Sequence, residues 1–312
     1  MTDDARRGEA LATMLGRFPA VAERVARVYG LRLPRHLAVF AAFWASTRHD
    51  PAERAALSGL GLEPWGVTDY FLDGGLDRTG RDGLDERLHG RFRRDPAEFV
   101  TVAAGDSDGL HWGLWYDDPA ELPTFVVHNY ARDSAETWTS GDASMLEMTA
   151  SVVARAMSDY DGEEAERYRP LIGALDWFAG PDREALAADG PVRWASHPHR
   201  WAGSISVFPA LPPESGDPRP AEADRRLALF QAGSAEAGAQ IADARRELVS
   251  GRPALALAVG MELHWVDGDE YRDAGRDLLV DAYRALGRHA LADIATIHAA
   301  NRDLPTAEVL TP

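Results

Sequence analysis

Two residue types are missing altogether: the chain has no cysteine and, read end to end, no lysine. Without cysteine there are no disulfides, thiolate zinc sites or cysteine nucleophiles. Without lysine there is neither Schiff-base chemistry nor a Walker-type phosphate loop. All 33 basic residues are therefore arginine. With abundant Ala, Gly and Asp, this is the usage a GC-rich bacterial genome produces. No apolar run approaches the ~18 residues of a membrane span. The opening "MTDDARRGEALATMLGRFPA" is charged throughout and lacks the apolar core of a signal peptide, so a cytoplasmic protein is expected. Positive charge is also outweighed, leaving a net charge of −17. Such a chain repels phosphate backbones and anionic membranes, which argues against direct nucleic-acid or membrane binding.

Signatures of catalysis and cofactors are equally sparse. There is no HExxH, no GxSxG elbow and no GxGxxG fingerprint. "GDSDG" (105–109) alternates acids as a calcium loop does, but lacks the later bidentate glutamate and reads as a hairpin turn. "SHPHRW" sets His197 and His199 on one side of an extended segment, and two ligands do not make a metal site. Neither metal nor cofactor is expected.

What is present points to an α+β protein. The 312 residues suit one large domain or two ordinary ones. Residues 3–29 read as helical with a break at Pro19. Pro34 sits at a helix start, followed by Leu37, Phe40, Ala41 and Trp44 at helical spacing. "EFVTVAA" (98–104), "LHWGLWY" (110–116) and "TFVVH" (124–128) are separated by turn residues and read as a small antiparallel meander. Residues 142–188 look helical with a gap at "SDYDGEE". "GSISVF" (203–208) reads as a strand, and two short helices follow at about 221–231 and 235–249.

From Ala254, Leu255, Leu257, Val259, Met261, Leu263 and Trp265 alternate with Ala254, Ala256, Ala258, Gly260, Glu262 and His264. That alternation predicts a strand with one bulky face and one nearly bare face. Glu262 and His264 would then point the same way, as a carboxylate and imidazole able to do general-base work. The plainer reading is an ordinary pair at the wet end of a strand whose small face lets a helix lie close. Helices follow almost to the end. The expected architecture is two packed α+β halves, 1–145 and 146–312, the second an antiparallel sheet with a long C-terminal helix.

Some blocks carry a family resemblance. "LHGRFRRDPAEFVTV" and "GLWYDDPAELPTFV" resemble the histone PARylation factor family, through Leu88, His89, Arg91, Phe92, Asp95, Pro96, Glu98 and Phe99, then Asp117, Pro119, Glu121 and Pro123. "GMELHWVDGDEY" and the segment down to Ala300, Asn301 and Arg302 are similar to the family's last strand and helix without a gap. The N-terminal part also resembles the SUKH (Smi1/Knr4-like) superfamily, whose bacterial members include toxin-immunity proteins. The first resemblance implies a protein that docks on a poly(ADP-ribose) polymerase and lends it a glutamate as general base on an acceptor serine. In this sequence the family's acidic pair falls on Val249 and Ser250, with Glu247 the nearest acid. Of the family's Tyr-Arg pair, only the arginine has a counterpart, Arg219 in "SGDPRPAEAD".

The resulting expectation is a cysteine-free, acidic, histone PARylation factor-like partner or accessory of an ADP-ribosyltransferase that lacks the family's catalytic glutamate. The alternative is a SUKH-like immunity or interaction protein bound to a toxin. A third reading is an enzyme in its own right at Glu262 and His264. The candidate binding residues are Arg219, Glu247, Ser250, Glu262 and His264.

Overall fold

A computed structural model describes every residue except Met1, Ala202, Ser204 and Pro312. The chain opens with α1 (Asp3–Tyr29), capped by the Thr2 hydroxyl and closed by Gly30 in the left-handed conformation. Pro19 lies inside this helix and does not interrupt it, contrary to the expected break. α2 (His36–Thr47) is buried along almost its whole length, and α3 (Pro51–Leu60) starts on the Asp50 carboxylate. The turn-rich stretch that follows forms short 3₁₀ turns and the two-residue strands β1 (Glu63–Pro64) and β2 (Thr79–Gly80).

The expected meander is present as β3 (Phe99–Ala104), β4 (Leu110–Trp115) and β5 (Phe125–Tyr130). β6 (Thr137–Thr139) extends it, giving an antiparallel sheet of order β1-β3-β4-β5-β6. Trp112, Trp115 and Tyr116 are core side chains. The β3–β4 register slips between Thr101 and Ala103. The carbonyl of the bulged Val102 is taken by the Trp65 N–H and the Thr68 hydroxyl, so the irregularity leaves no orphaned acceptor. Gly66 closes against this bulge: at φ +62, a Cβ there would lie 2.1 Å from the Thr101 carbonyl oxygen.

Next come α4 (Met145–Asp159), the short α5 (Glu163–Glu166) and α6 (Arg169–Asp189), with α4 and α6 packed on α2. Of "GSISVF", Ser204 lies outside the described residues. The rest forms an isolated antiparallel bridge, Arg200 to Val207, rather than the expected strand.

The largest departure follows. α7 (Ala223–Gln231) and α8 (Ala235–Val249) match expectation, but 254–265 is not a strand. It is α9 (Ala254–Val266), a helix buried from Ala254 through Leu263. The residues agree with this outcome, since Ala, Leu, Met and Glu are strong helix formers and only Val259 and the terminal Val266 are β-branched. A helix that is apolar on all sides has no stripe to display, so it sits at the centre of its layer. It is packed against α7, α8 and α10 (Arg272–Ala285), and α11 (His289–Ala300) closes the group. The small residues do permit close packing, of helix on helix: a Cβ on Gly260 would lie 2.9 Å from Leu279 Cγ in α10.

The α+β class therefore holds, as an antiparallel sheet and a C-terminal helical region, whereas the expected C-terminal sheet is absent among the described residues. β7 (Leu310–Thr311) pairs with β2, so the end of the chain returns to the N-terminal half. His89 Nδ1 accepts the Val309 and Leu310 backbone N–H groups beside that pairing. No helix among the described residues is long and apolar enough to cross a membrane.

Candidate functional site

Three of the five candidate residues meet on one surface. α8 ends in a tight corner: Gly251 adopts φ +79, and the Ser250 and Arg252 N–H groups bond back to carbonyls of the last helical turn. Pro253 then opens α9. The corner lifts 249–252 into solvent. Val249 is 89% exposed, while the Ser250 hydroxyl turns inward to the Arg246 carbonyl at 2.8 Å.

Opposite lies the loop before α7. Arg219 sits at φ +53, held by a turn in which its N–H donates to Asp217 Oδ1 at 2.8 Å. Its guanidinium reaches Asp243 Oδ2 at 2.6 Å and lies 3.9 Å from Glu247 Oε1. Arg252 bonds Glu247 Oε2 from the other side at 2.6 Å. Glu247 thus lies between two arginines, and its acidity is strengthened chiefly by the Arg252 hydrogen bond. Asp243 is shifted the same way by Arg219. A general base works best with a pKa near the operating pH. The shift at Glu247 runs away from that range.

Glu262 and His264 do not join them, or each other. Two residues apart on a helix, they point to different sides. Glu262 is fully buried and paired bidentately with Arg226 at 2.6 and 2.7 Å. Burial raises its pKa to about 7, opposed by the Arg226 hydrogen bonds. His264 Nε2 donates to the Asp95 carbonyl at 3.1 Å, and its ring faces His298 at 5.4 Å. Burial, with Arg302 nearby, holds its pKa well below the ordinary 6.5. The pair at the end of a strand, and the groove it would line, are replaced by two separate packing contacts.

Asp243, Arg252 and Arg226 were not singled out from the sequence. Asp243 precedes Glu247 by four residues, so its place on the same helical face was available as a signal. Arg226 had none, because its partner lies in another helix.

The family model of histone PARylation factor 1 matches residues 20–173. The chain is histone PARylation factor-like. It is 24% identical to histone PARylation factor 1 of Bos taurus over 302 residues, covering 88% of this chain and 84% of the bovine protein. It is 31% identical to the Mus musculus protein over 121 residues, covering 38% of this chain and 35% of the mouse protein. The Danio rerio protein matches at 31% over 121 residues, 34% of its length. The stronger local matches thus span about a third of those relatives, while the bovine match runs through both halves and includes the Arg219 and Ser250 segments. The resemblance led to the expectation of a sheet carrying 254–265; the structure has a helix there, and the histone PARylation factor-like relation rests on the sequence matches alone.

Proposed function

We propose that the chain is a bacterial, cytoplasmic partner or accessory of an ADP-ribosyltransferase, engaging it through the Arg219–Val249 surface without supplying a catalytic carboxylate. One observation carries the reading: Arg219 is held by Asp243 beside a corner where the family resemblance calls for an acidic pair and this chain exposes Val249 and Ser250. An exposed valine next to a braced arginine suits docking. The same corner offers no free carboxylate, since Glu247 is tied to Arg252.

The test uses a purified ADP-ribosyltransferase from the same host. Wild type binds it, and Arg219→Ala and Val249→Asp each weaken binding by tenfold or more, with melting temperatures unchanged. Binding insensitive to both substitutions overturns the assigned surface. Capture of a toxin, with no affinity for the transferase, would favour the alternative immunity role and the SUKH-like reading of 1–145.

A further inference from the structure

Three histidine–aspartate pairs are buried among the described residues: His89–Asp69, His111–Asp95 and His199–Asp117. In the first two, both ring nitrogens are committed inside the fold. His89 Nδ1 accepts two backbone N–H groups, and His111 Nδ1 lies 2.8 Å from the Gly109 carbonyl. His199 differs. Its Nε2 is 2.9 Å from Asp117 Oδ2, and its Nδ1 has no hydrogen-bond partner among the described residues. The ring lines a cavity of about 810 Å³.

Asp117 is a fully used anchor. Oδ1 accepts the Ala210 N–H at 2.7 Å and the Trp115 indole N–H at 3.2 Å, while Oδ2 accepts the Thr124 hydroxyl and His199. With both Asp117 oxygens accepting, Nε2 is the ring atom that donates to Oδ2, and Nδ1 is the one left for a ligand. Phe125 packs edge-on against the imidazole at 4.6 Å and holds its orientation. His199 itself is 93% buried, from a relative exposure of 7%.

The rest of the cavity has a matching character. Trp138 on the edge strand β6 is 43% exposed and offers an aromatic wall. Arg200 lines it and has no ion pair among the described residues, whereas Asp142 on the same lining accepts from the Ser151 hydroxyl. The volume lies within the ~300–1,000 Å³ of small-molecule sites.

We propose that this cavity binds a small planar aromatic acid carrying a ring N–H or O–H. The ring lies on Trp138, the N–H or O–H donates to His199 Nδ1, and the carboxylate meets Arg200. The site is separate from the Arg219 surface and stands or falls independently of it.

Calorimetric titration tests it with indole-3-carboxylate and 4-hydroxybenzoate, each beside its N- or O-methyl counterpart. At least one parent acid binds saturably, and methylation weakens it about tenfold, the equivalent of one hydrogen bond of ~1.4 kcal/mol. Trp138→Ala, at an exposed position, keeps the melting temperature and weakens binding about tenfold. Arg200→Gln weakens the acids but leaves the parent indole or phenol unchanged. His199→Asn is paired with a melting curve, and Trp138→Ala carries the test if that variant unfolds. No saturable binding of either acid, equal binding of the methylated forms, or unchanged binding by Trp138→Ala overturns the proposal.

Discussion

Tyr283→Phe isolates a single hydroxyl at the junction between the sheet and the C-terminal helices. The Tyr283 hydroxyl in α10 lies 2.8 and 2.9 Å from the two carboxylate oxygens of Glu98, just before β3. Both side chains are fully buried, and no other side chain donates to that carboxylate among the described residues. Burial raises the Glu98 pKa from 4.5 to about 7, with Tyr283 and Arg288 opposing it. Between those values the folded protein holds a proton that the unfolded chain has released. Stability from this group therefore falls as pH rises through the window, by roughly 3 kcal/mol in all at ~1.4 kcal/mol per tenfold change in acidity. Above pH ~7 the hydroxyl serves a charged acceptor, a bond of about 1.5–3 kcal/mol; below it the carboxyl is neutral and the bond contributes about 1 kcal/mol. Tyr283→Phe should thus cost about 2 kcal/mol at pH ~8.5 and about 1 kcal/mol at pH ~5.5. Urea unfolding at the two pH values, read from midpoints at constant slope, measures the difference. Equal penalties, or a larger one at the acid pH, would refute the assignment of Glu98 as a buried carboxyl titrating near neutrality.

Other outcomes follow from the same contacts. At pH ~8.5, where Glu262 is ionised, Glu262→Gln should destabilise by about 3–5 kcal/mol, because it leaves Arg226 buried without its counter-charge, while Glu262→Met with Arg226→Met should recover much of the loss; chemical denaturation of the single and double variants measures this. Gly66→Ala should cost at least about 2 kcal/mol, since a Cβ at φ +62 meets the Thr101 carbonyl oxygen and the bulge must move; a thermal melt reads it. Arg219→Ala should change stability by less than about 1 kcal/mol, because its ion pair with Asp243 is partly exposed, so any loss of partner binding would reflect the surface rather than unfolding.

The course of the chain was legible where residues carry a local signal. The meander showed itself by turn residues between short β-rich runs, and α2 by Leu37, Phe40, Ala41 and Trp44 at helical spacing. The end of α8 was expected at about 249, and the structure ends the helix there, just before the corner at Ser250, Gly251 and Pro253. The same local reading failed at Ala254–Trp265, where large and small apolar residues alternate. A stretch buried on every side shows no hydrophilic phase, so a period of two and a period of 3.6 both fit it. Its strong helix formers and its length were the signals that counted, and the alternation obscured them.

The candidate site divides along the same line. Arg219, Glu247 and Ser250 came from correspondence along the sequence, and the fold brings them to one corner because α8 ends there. Glu262 and His264 depended on an assumed strand, and once the strand is a helix their side chains part. The sequence by itself determined the α+β class, the acidic and cysteine-free chemistry, and the family likeness, since these reside in composition and in order along the chain. Only the tertiary structure decided that Glu262 answers Arg226, that Glu98 answers Tyr283 and that His199 faces a cavity. Each is a contact between elements distant in sequence, and charge pairing inside a core is chosen by packing rather than by spacing.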